Sequence, residues 1–295
     1  MRIAVIDVGS NTVRLLVSEW GVRGIERVRE ARSLLLLGQE IERRGALSAR
    51  KLAETRRCAR RLSRLAREAG ATRLEVLVTA PGRQSANADE LVRILAEVTA
   101  APVRVLSPDE EGRLAWEGAV AVAGVAELAP TIAVCDVGGG STELLVGTPE
   151  GGPAWAHSLD VGSLRLTERL LDRDPPGKEA MRLASAQVAA AFEGLTAPLP
   201  QAALATGGTA RALKKLTGAR LGEDELGAAV RRLTKRRARE IARSTGVDHE
   251  RARTLPAGAL ILREVQRLLR TPLAVSTAGL REGAALRLLA EAAAA

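Results

Sequence analysis

Residues 3–17 read IAVIDVGSNTVRLLV, and residues 132–146 read IAVCDVGGGSTELLV. The two stretches align without a gap at an offset of 129 residues, and nine of the fifteen positions are identical. A repeat of this length and spacing is typical of a duplicated domain rather than of a solenoid. The chain of 295 residues is long enough for two domains that each bury a core. The repeat therefore predicts two related lobes.

Each copy of the repeat predicts a β-hairpin. An apolar run forms a buried strand, Asp-Val-Gly and small polar residues form a tight turn, and a second strand follows over 13–20 or 143–147. Glycine lets backbone N–H groups approach an anion, and successive N–H groups form a concave nest for phosphate. One such loop alone is often an ordinary turn. Two loops with the same aspartate, Asp7 and Asp136, indicate a pair of phosphate-binding loops.

Helices and strands alternate after each hairpin, which predicts an α/β fold with mixed sheets. The expected helices cover 48–69, 86–98, 178–194, 223–245 and 255–270, and the expected strands cover 74–79, 103–106, 202–205 and 273–275. The domain boundary is expected in the linking stretch 119–130. We predict an N-terminal lobe of residues 1–122 and a C-terminal lobe of residues 123–295, whose last helix has the option of packing back on the first lobe.

Composition narrows the class of protein. The net charge of +9 favours anionic partners such as phosphate compounds, polyphosphate, nucleic acid or a membrane surface. Most of the positive charge is arginine, and codon composition is an alternative cause of that bias. Four aromatic residues give little surface for base stacking, so we expect no nucleic acid. Two histidines exclude a His-rich metal site. Two distant cysteines, no signal peptide and no apolar run that spans a bilayer predict a cytoplasmic protein without a membrane partner.

Five further clusters carry candidate chemistry, and each has a structural alternative. The turns at 206–209 and 276–283 resemble anion sites at helix starts, which are also common caps. Arg83 has the geometry to fork onto a phosphate, or it is a surface residue. Among the acids at 109–111, one is a candidate general base, while helix capping explains all three. The Arg-rich stretch 231–243, expected as a helix, is either a polyanion site or a solvated face.

The motifs together resemble one family. DVGSNTVRLLV, TAPGRQSAN, SPDEEGRLAWEGAV, DVGGGSTELLVG, LDVGSLRLTE, TGGTARAL and STAGLREGAAL occur in this order between residue 3 and about residue 286. This set closely resembles the exopolyphosphatase / guanosine pentaphosphate phosphohydrolase family, in its short two-lobe form. The family belongs to the sugar kinase–actin superfamily, whose members have two related lobes with the ligand in the cleft between them. The resemblance implies a hydrolase that acts on phosphoanhydride bonds.

The resemblance also implies roles for individual residues. Glu111 matches the general base that takes a proton from the attacking water. Asp136 and Glu143 match acidic positions linked to Mg²⁺ and the water, with Asp7 as a further metal ligand and Mn²⁺ as the alternative metal. The remaining matches concern phosphate binding, and they are Asp7, Ser10, Asn11, Thr12, Arg14, Arg83, Gly138, Gly139, Gly140, Ser141, Thr142, Gly207, Gly208 and Thr209.

The sequence departs from the family pattern at Pro81-Gly82 and at Leu36, which affects substrate contacts rather than the reaction class. The resemblance is to short members without the extra helical domain of longer ones, so we expect a preference for shorter polyphosphate chains. The expected substrate is inorganic polyphosphate, with guanosine pentaphosphate as the main alternative. A kinase of the same superfamily and a non-catalytic polyphosphate or nucleotide sensor are the more remote alternatives. A homodimer also stays open.

Overall fold

The computed structural model describes residues 1–22, 24–123 and 129–294. The fold divides into two compact units. Unit 1 comprises Met1–Gly118 together with Leu280–Ala295, and unit 2 comprises Ala119–Gly279. The predicted lobes, by comparison, were 1–122 and 123–295. Residues 124–128 of the predicted linking stretch lie outside the described residues.

Unit 1 is built on a five-stranded mixed sheet with the strand order β3-β2-β1-β4-β5. Strands β1 to β3 form an antiparallel meander, and β4 and β5 continue the sheet parallel to β1. Its elements are β1 (Arg2–Val8), β2 (Thr12–Gly21), β3 (Gly24–Leu34), α1 (Leu37–Arg44), α2 (Ala49–Glu68), β4 (Arg73–Val78), α3 (Ala80–Gln84), α4 (Ala88–Thr99), β5 (Val103–Val105), α5 (Pro108–Ala123, of which residues 119–123 count with unit 2) and α12 (Leu280–Ala294).

Both faces of the unit 1 sheet are buried. Successive side chains of a strand point to opposite faces, so alternate residues of β1 belong to two different cores. Ala4, Ile6 and Val8 belong to a core that includes residues of α1, α2 and α4. Ile3 and Val5 belong to a second core that includes residues of α5 and α12. Residues 3–6 of β1 are accordingly all apolar, as expected for a strand covered on both sides.

Helix α12 lies directly against α5. A Cβ atom at Gly283 would lie 2.0 Å from the backbone oxygen of Leu114 and 3.1 Å from the backbone nitrogen of Gly118. Only glycine allows two helix backbones to approach this closely. The ion pair between Arg27 and the buried Glu282 adds a contact between α12 and the sheet at 2.9 Å. The last helix is thus part of unit 1.

Unit 2 has a six-stranded sheet with the order β10-β11-β9-β6-β7-β8. Strands β6 to β8 form an antiparallel meander, and β9 and β11 continue the sheet parallel to β6, as in unit 1. Its elements are β6 (Ile132–Val137), β7 (Thr142–Thr148), β8 (Gly152–Leu159), α6 (Ser163–Leu170), α7 (Lys178–Ala191), β9 (Ala202–Thr206), α8 (Gly207–Thr217), β10 (Arg220–Leu221), α9 (Glu223–Leu233), α10 (Ala238–Thr245), α11 (His249–Leu269) and β11 (Leu273–Val275).

Several predicted elements need correction. The predicted helix over 223–245 is wrong, because α9 ends at Leu233 and α10 begins only at Ala238. The Arg-rich stretch 231–243 is therefore two helix ends joined by a turn. Helix α11 begins six residues before the predicted start, and Pro256 lies inside it. The third strands β3 and β8 and the short helices α1 and α6 were not predicted. No helix in the described part of the chain combines the length and the apolar character needed to cross a membrane.

Candidate active site

The loop after β1 contains the first set of residues that were predicted to bind phosphate. The N–H of Gly9 donates to the backbone oxygen of Thr12 at 3.1 Å and closes the turn. Asn11 is only 6% exposed, and neither its amide nitrogen nor its amide oxygen has a hydrogen-bond partner among the described residues. Buried amide groups are almost always paired, so an unpartnered one indicates a missing ligand or water. Arg14 lies directly opposite Asp7, and its Nε donates to the Thr12 hydroxyl at 3.1 Å.

The loop after β6 repeats this geometry in unit 2. The N–H of Gly138 donates to the backbone oxygen of Ser141 at 3.0 Å, at the positions that correspond to Gly9 and Thr12. Asp136 and Glu143 lie directly opposite each other on β6 and β7. Glu143 is 1% exposed, and it accepts a hydrogen bond from the Ser158 hydroxyl at 3.2 Å. Two facing carboxylates destabilise a sheet, which is typical of a site that holds a cation.

A short helix braces each loop, and this was missed by the sequence analysis. In unit 1 the N–H of Gly38, in the first turn of α1, donates to the backbone oxygen of Ser10 at 2.9 Å. In unit 2 the N–H groups of Leu164 and Arg165, in the first turn of α6, donate to Gly139 at 2.9 and 3.0 Å. Both loops therefore have their carbonyl groups turned toward a helix. The motif LDVGSLRLTE contained the signal, since it places glycine before a helix start.

Gly162 explains why that motif contains glycine. A Cβ atom at this position would lie 2.4 Å from the backbone oxygen of Gly139 and 2.5 Å from the backbone nitrogen of Gly140. The segment that precedes α6 therefore packs against the backbone of the phosphate loop itself. This contact fixes the loop without using any side chain.

Glu111 and Arg83 meet at the edge of the unit 1 sheet where the parallel strands end. Nη1 of Arg83 lies 2.9 Å from Oε2 of Glu111 and 2.7 Å from the backbone oxygen of Leu106. The side chains are 20% and 11% exposed. Arg83 extends from α3, which replaces the predicted turn, and Gly82 of α3 packs closely against Val105. The predicted phosphate-binding arginine thus contacts the predicted base.

The three acids at the start of α5 have different environments. Glu110 accepts from the N–H of Ser107 at 2.8 Å, and its own N–H donates to the Ser107 hydroxyl at 3.2 Å, which is a capping box. Hydrogen bonds from Ser107 lower the pKa of Glu110, more strongly than burial raises it. Asp109 is exposed, whereas Glu111 is buried. Capping therefore explains the presence of Glu110. Glu111 is the acid of the three that is buried and bonded to Arg83.

The turn after β9 reaches the Asp136 carboxylate. Gly207 has a φ of +82°, and a Cβ atom there would lie 2.3 Å from Oδ1 of Asp136. Glycine is required at this position by both the backbone conformation and the close approach. Behind it, Thr206 packs against Gly279, the residue of the 276–283 motif that directly precedes α12. The carboxyl ends of β6, β9 and β11 therefore gather at one edge of the unit 2 sheet.

Two predicted phosphate contacts are engaged within unit 2. The Thr142 hydroxyl donates to the backbone oxygen of Val161 at 2.7 Å, and the Thr209 hydroxyl donates to the Ser163 hydroxyl at 3.4 Å. Both threonines are fully buried. Phosphate binding by this unit is therefore expected to depend on glycine N–H groups and Ser141 more than on these hydroxyls. Gly208 follows Gly207 in the first turn of α8.

The donor groups allow a specific test of metal binding. No cluster of three or more His, Cys, Asp or Glu side chains with metal-binding geometry occurs among the described residues. Mg²⁺ usually binds to one or two carboxylates and completes its shell with water and substrate phosphates. Asp136 and Glu143, with the space beside Asp136 that a Cβ at Gly207 would fill, fit this mode. The residues present fit a metal that is shared with substrate.

Comparison with known proteins agrees with this description. The model of the Ppx/GppA phosphatase family matches residues 16–292. Exopolyphosphatase 2 of Mycobacterium tuberculosis is 29% identical, and the alignment covers 97% of this chain and 98% of the relative. Exopolyphosphatase 1 of Mycobacterium leprae is 31% identical over 98% of this chain and 90% of the relative. The structure of an Aquifex aeolicus PPX-GPPA enzyme has a TM-score of 0.79 at 26% identity and covers 97% and 99% of the two chains. The predicted α/β fold is confirmed.

Proposed function

Because the chain belongs to the Ppx/GppA phosphatase family, we propose that it is a Mg²⁺-dependent exopolyphosphatase that releases orthophosphate from the ends of inorganic polyphosphate. Family membership confirms the predicted class of hydrolase, which acts on phosphoanhydride bonds. Polyphosphate as the substrate is supported by the names of the two mycobacterial relatives. A cytoplasmic location is part of the proposal and is consistent with two unpaired cysteines.

The facing carboxylates Asp136 and Glu143 carry the proposal. They lie beside a glycine loop whose backbone can bind phosphate, and Glu143 is buried. A buried carboxylate that faces a second carboxylate is costly unless positive charge compensates it. A divalent cation would neutralise the carboxylates, and substrate phosphates would accept hydrogen bonds from the N–H groups of the glycine loop. Asp136 and Glu143 would hold Mg²⁺, and Asp7 is the further predicted ligand.

Hydrolysis of a terminal anhydride needs charge neutralisation, in-line positioning and a base near the attacking water. Glu111 is the proposed base, and the hydrogen bond from Arg83 fixes the orientation of its carboxylate. The water loses its proton to Glu111 as its oxygen bonds to the terminal phosphorus. The bond from phosphorus to the bridging oxygen breaks, and the shortened polyphosphate leaves. Bound Mg²⁺ supplies charge neutralisation on the phosphoryl oxygens.

A substrate assay tests the proposal. Orthophosphate release is measured from polyphosphates of graded length and from guanosine pentaphosphate, each with Mg²⁺ or Mn²⁺. Release from polyphosphate is expected at every length. Preference for guanosine pentaphosphate in a competition assay would show that this nucleotide, and not polyphosphate, is the substrate. Transfer of labelled phosphate to an acceptor other than water would indicate a kinase. Absence of release from every substrate would reject the enzyme.

Glu111→Gln tests the base. The variant is expected to lose about 10²–10⁴-fold in kcat while it still binds polyphosphate, because base catalysis contributes that factor. Glu110→Gln is the matched control, since the neighbouring side chain caps α5 and has no proposed catalytic contact. We expect near wild-type turnover from the control. Full activity of Glu111→Gln would contradict the assignment.

A further inference from the structure

Helix α2 concentrates positive charge on a short segment. Its twenty residues contain seven arginines and one lysine against two glutamates, a net charge of +6 in a chain of net charge +9. Its first turn contains no acidic residue, although acids are favoured there by the helix dipole. The helix therefore has a charge pattern that its own stability does not explain.

The exposed arginines of α2 form a stripe along one side. At 100° per residue, five of the six exposed arginines fall within about 100° of the helix circumference, and they are Arg50, Arg57, Arg60, Arg61 and Arg64. Like charges three and four residues apart repel each other and destabilise a helix. Arg57 and Arg60 have no acidic partner within ion-pair distance in the described part of the chain. Arg50 and Arg64 at the two ends of the stripe pair with Glu54 and Glu68 at 3.2 and 3.5 Å. The middle of the stripe therefore combines a cost in stability with a cationic surface.

A cavity at the N-terminal end of α2 connects this stripe with the first phosphate loop. The cavity measures about 400 Å³, and its lining has four basic residues, Arg43, Arg44, Arg50 and Lys51, against two acidic ones, Glu40 and Glu54. Leu36 also lines it, and the N–H of Leu36 donates to the backbone oxygen of Asn11 at 3.0 Å. One wall of the cavity is therefore bonded directly to the loop that contains the unpartnered Asn11 amide.

We propose that the Arg50–Arg64 stripe of α2 and the adjoining cavity bind the internal part of a polyphosphate chain whose end occupies the Ser10–Thr12 loop. This inference rests on the proposed function. A linear polyanion with one charge per phosphate matches a row of cations on a straight helix, and it relieves the repulsion between them. Long chains gain contacts that tripolyphosphate does not reach, so unit 1 favours long substrates, contrary to the expected preference for short ones.

The stripe offers no aromatic side chain, which argues against single-stranded nucleic acid as its ligand. Polyphosphate needs only charge and spacing. Because the contacts are exposed ion pairs, binding weakens strongly with salt. The Arg-rich segment 231–243 of unit 2 has a comparable charge, but a turn divides it between two helices. It therefore provides a matched control of equal charge without a straight stripe.

The test compares two triple variants, R57Q/R60Q/R64Q in α2 and R231Q/R239Q/R243Q in unit 2. Glutamine has a helix propensity close to that of arginine, so both helices are expected to form, which circular dichroism and thermal melting check. The α2 variant is expected to raise KM for long-chain polyphosphate by about tenfold, the lower end of electrostatic steering effects. We expect the α2 variant to keep a kcat/KM for tripolyphosphate near that of wild type. We expect the control variant to keep both its KM for long-chain polyphosphate and its kcat/KM for tripolyphosphate near wild type.

Binding of end-labelled long-chain polyphosphate, without divalent cations, separates this inference from the proposed function. If wild type releases no orthophosphate but the α2 variant alone loses binding, the proposed function fails and the inference stands. Equal losses in both triple variants, an equal loss on tripolyphosphate, or no change in the α2 variant would overturn it. Tighter binding of duplex RNA than of polyphosphate at equal charge would reassign the stripe to nucleic acid and also overturn it.

Discussion

The loops after β1 and β6 share a backbone hydrogen bond, but the charged residue opposite the aspartate has the opposite sign in the two loops. Each is closed by a hydrogen bond from glycine to the residue three positions later, and each has its aspartate directly opposite a charged residue of the next strand. In unit 1 the pair is Asp7 and Arg14, which attract each other. In unit 2 it is Asp136 and Glu143, which repel each other. Duplication thus preserved the geometry, while one position makes the charge pair attractive in one loop and repulsive in the other.

Neutralising the charged residue opposite the aspartate, Arg14 in unit 1 or Glu143 in unit 2, is expected to give the largest difference in kinetics between the two loops. Glu143→Gln removes a proposed metal ligand and is expected to lower kcat by about 10²–10³-fold, as for other groups that stabilise charge in a transition state. Arg14→Gln removes a predicted phosphate contact and is expected to raise KM more than it lowers kcat. Steady-state kinetics at several Mg²⁺ concentrations measure both.

The same two variants are expected to shift stability in opposite directions. Without metal, Glu143→Gln relieves a repulsive cross-strand pair and is expected to raise the free energy of unfolding by about 0.2–1 kcal/mol, whereas Arg14→Gln loses a similar amount. Urea denaturation in the presence of a chelator measures this. Equal kinetic losses and the same sign of stability change in both variants would show that the two loops do not differ in role.

Much of this comparison could be predicted from the sequence, because the repeat is gapless and its strands are apolar. The aspartates, the glycines and both hairpins followed from that pattern. The bracing helices α1 and α6 did not, since each is only eight residues long. The signal for α6 is a single glycine, Gly162, which packs against the loop backbone. The pairing of Arg83 with Glu111 was also not predictable, because it joins residues from two separate strand ends.

Gly207→Ala disturbs the unit 2 loop without changing its charge. The new Cβ would lie 2.3 Å from Oδ1 of Asp136, so the carboxylate must move, and a displacement of about 1 Å can cost about 10²-fold in rate. Gly218→Ala is the matched control at the other end of α8. Its φ is +98°, but no atom lies within 4 Å of the new Cβ.

Both alanine variants are expected to lose about 1 kcal/mol or more of stability from the unfavourable φ. Only Gly207→Ala is expected to lose activity per folded molecule, measured as kcat after correction for the folded fraction. If the two variants lost equal activity, backbone strain would explain the effect, and the contact with Asp136 would not be needed.

The smallest expected effect concerns Cys135, which occupies the position of Ile6 in the repeat. Both side chains are completely buried, so the two strands should be equally closed to solvent. Burial, and secondly the charge of Asp136, raise the pKa of the Cys135 thiol. The folded state therefore retains the proton to higher pH, and stability falls as pH rises above the unfolded pKa of about 8.5. In a Cys58→Ala background, a disulfide reagent at about pH 8 is expected to modify Cys135 only after addition of denaturant. Modification in the native protein at the rate of a free thiol would show that β6 opens, and that the two hairpins differ in rigidity as well as in charge.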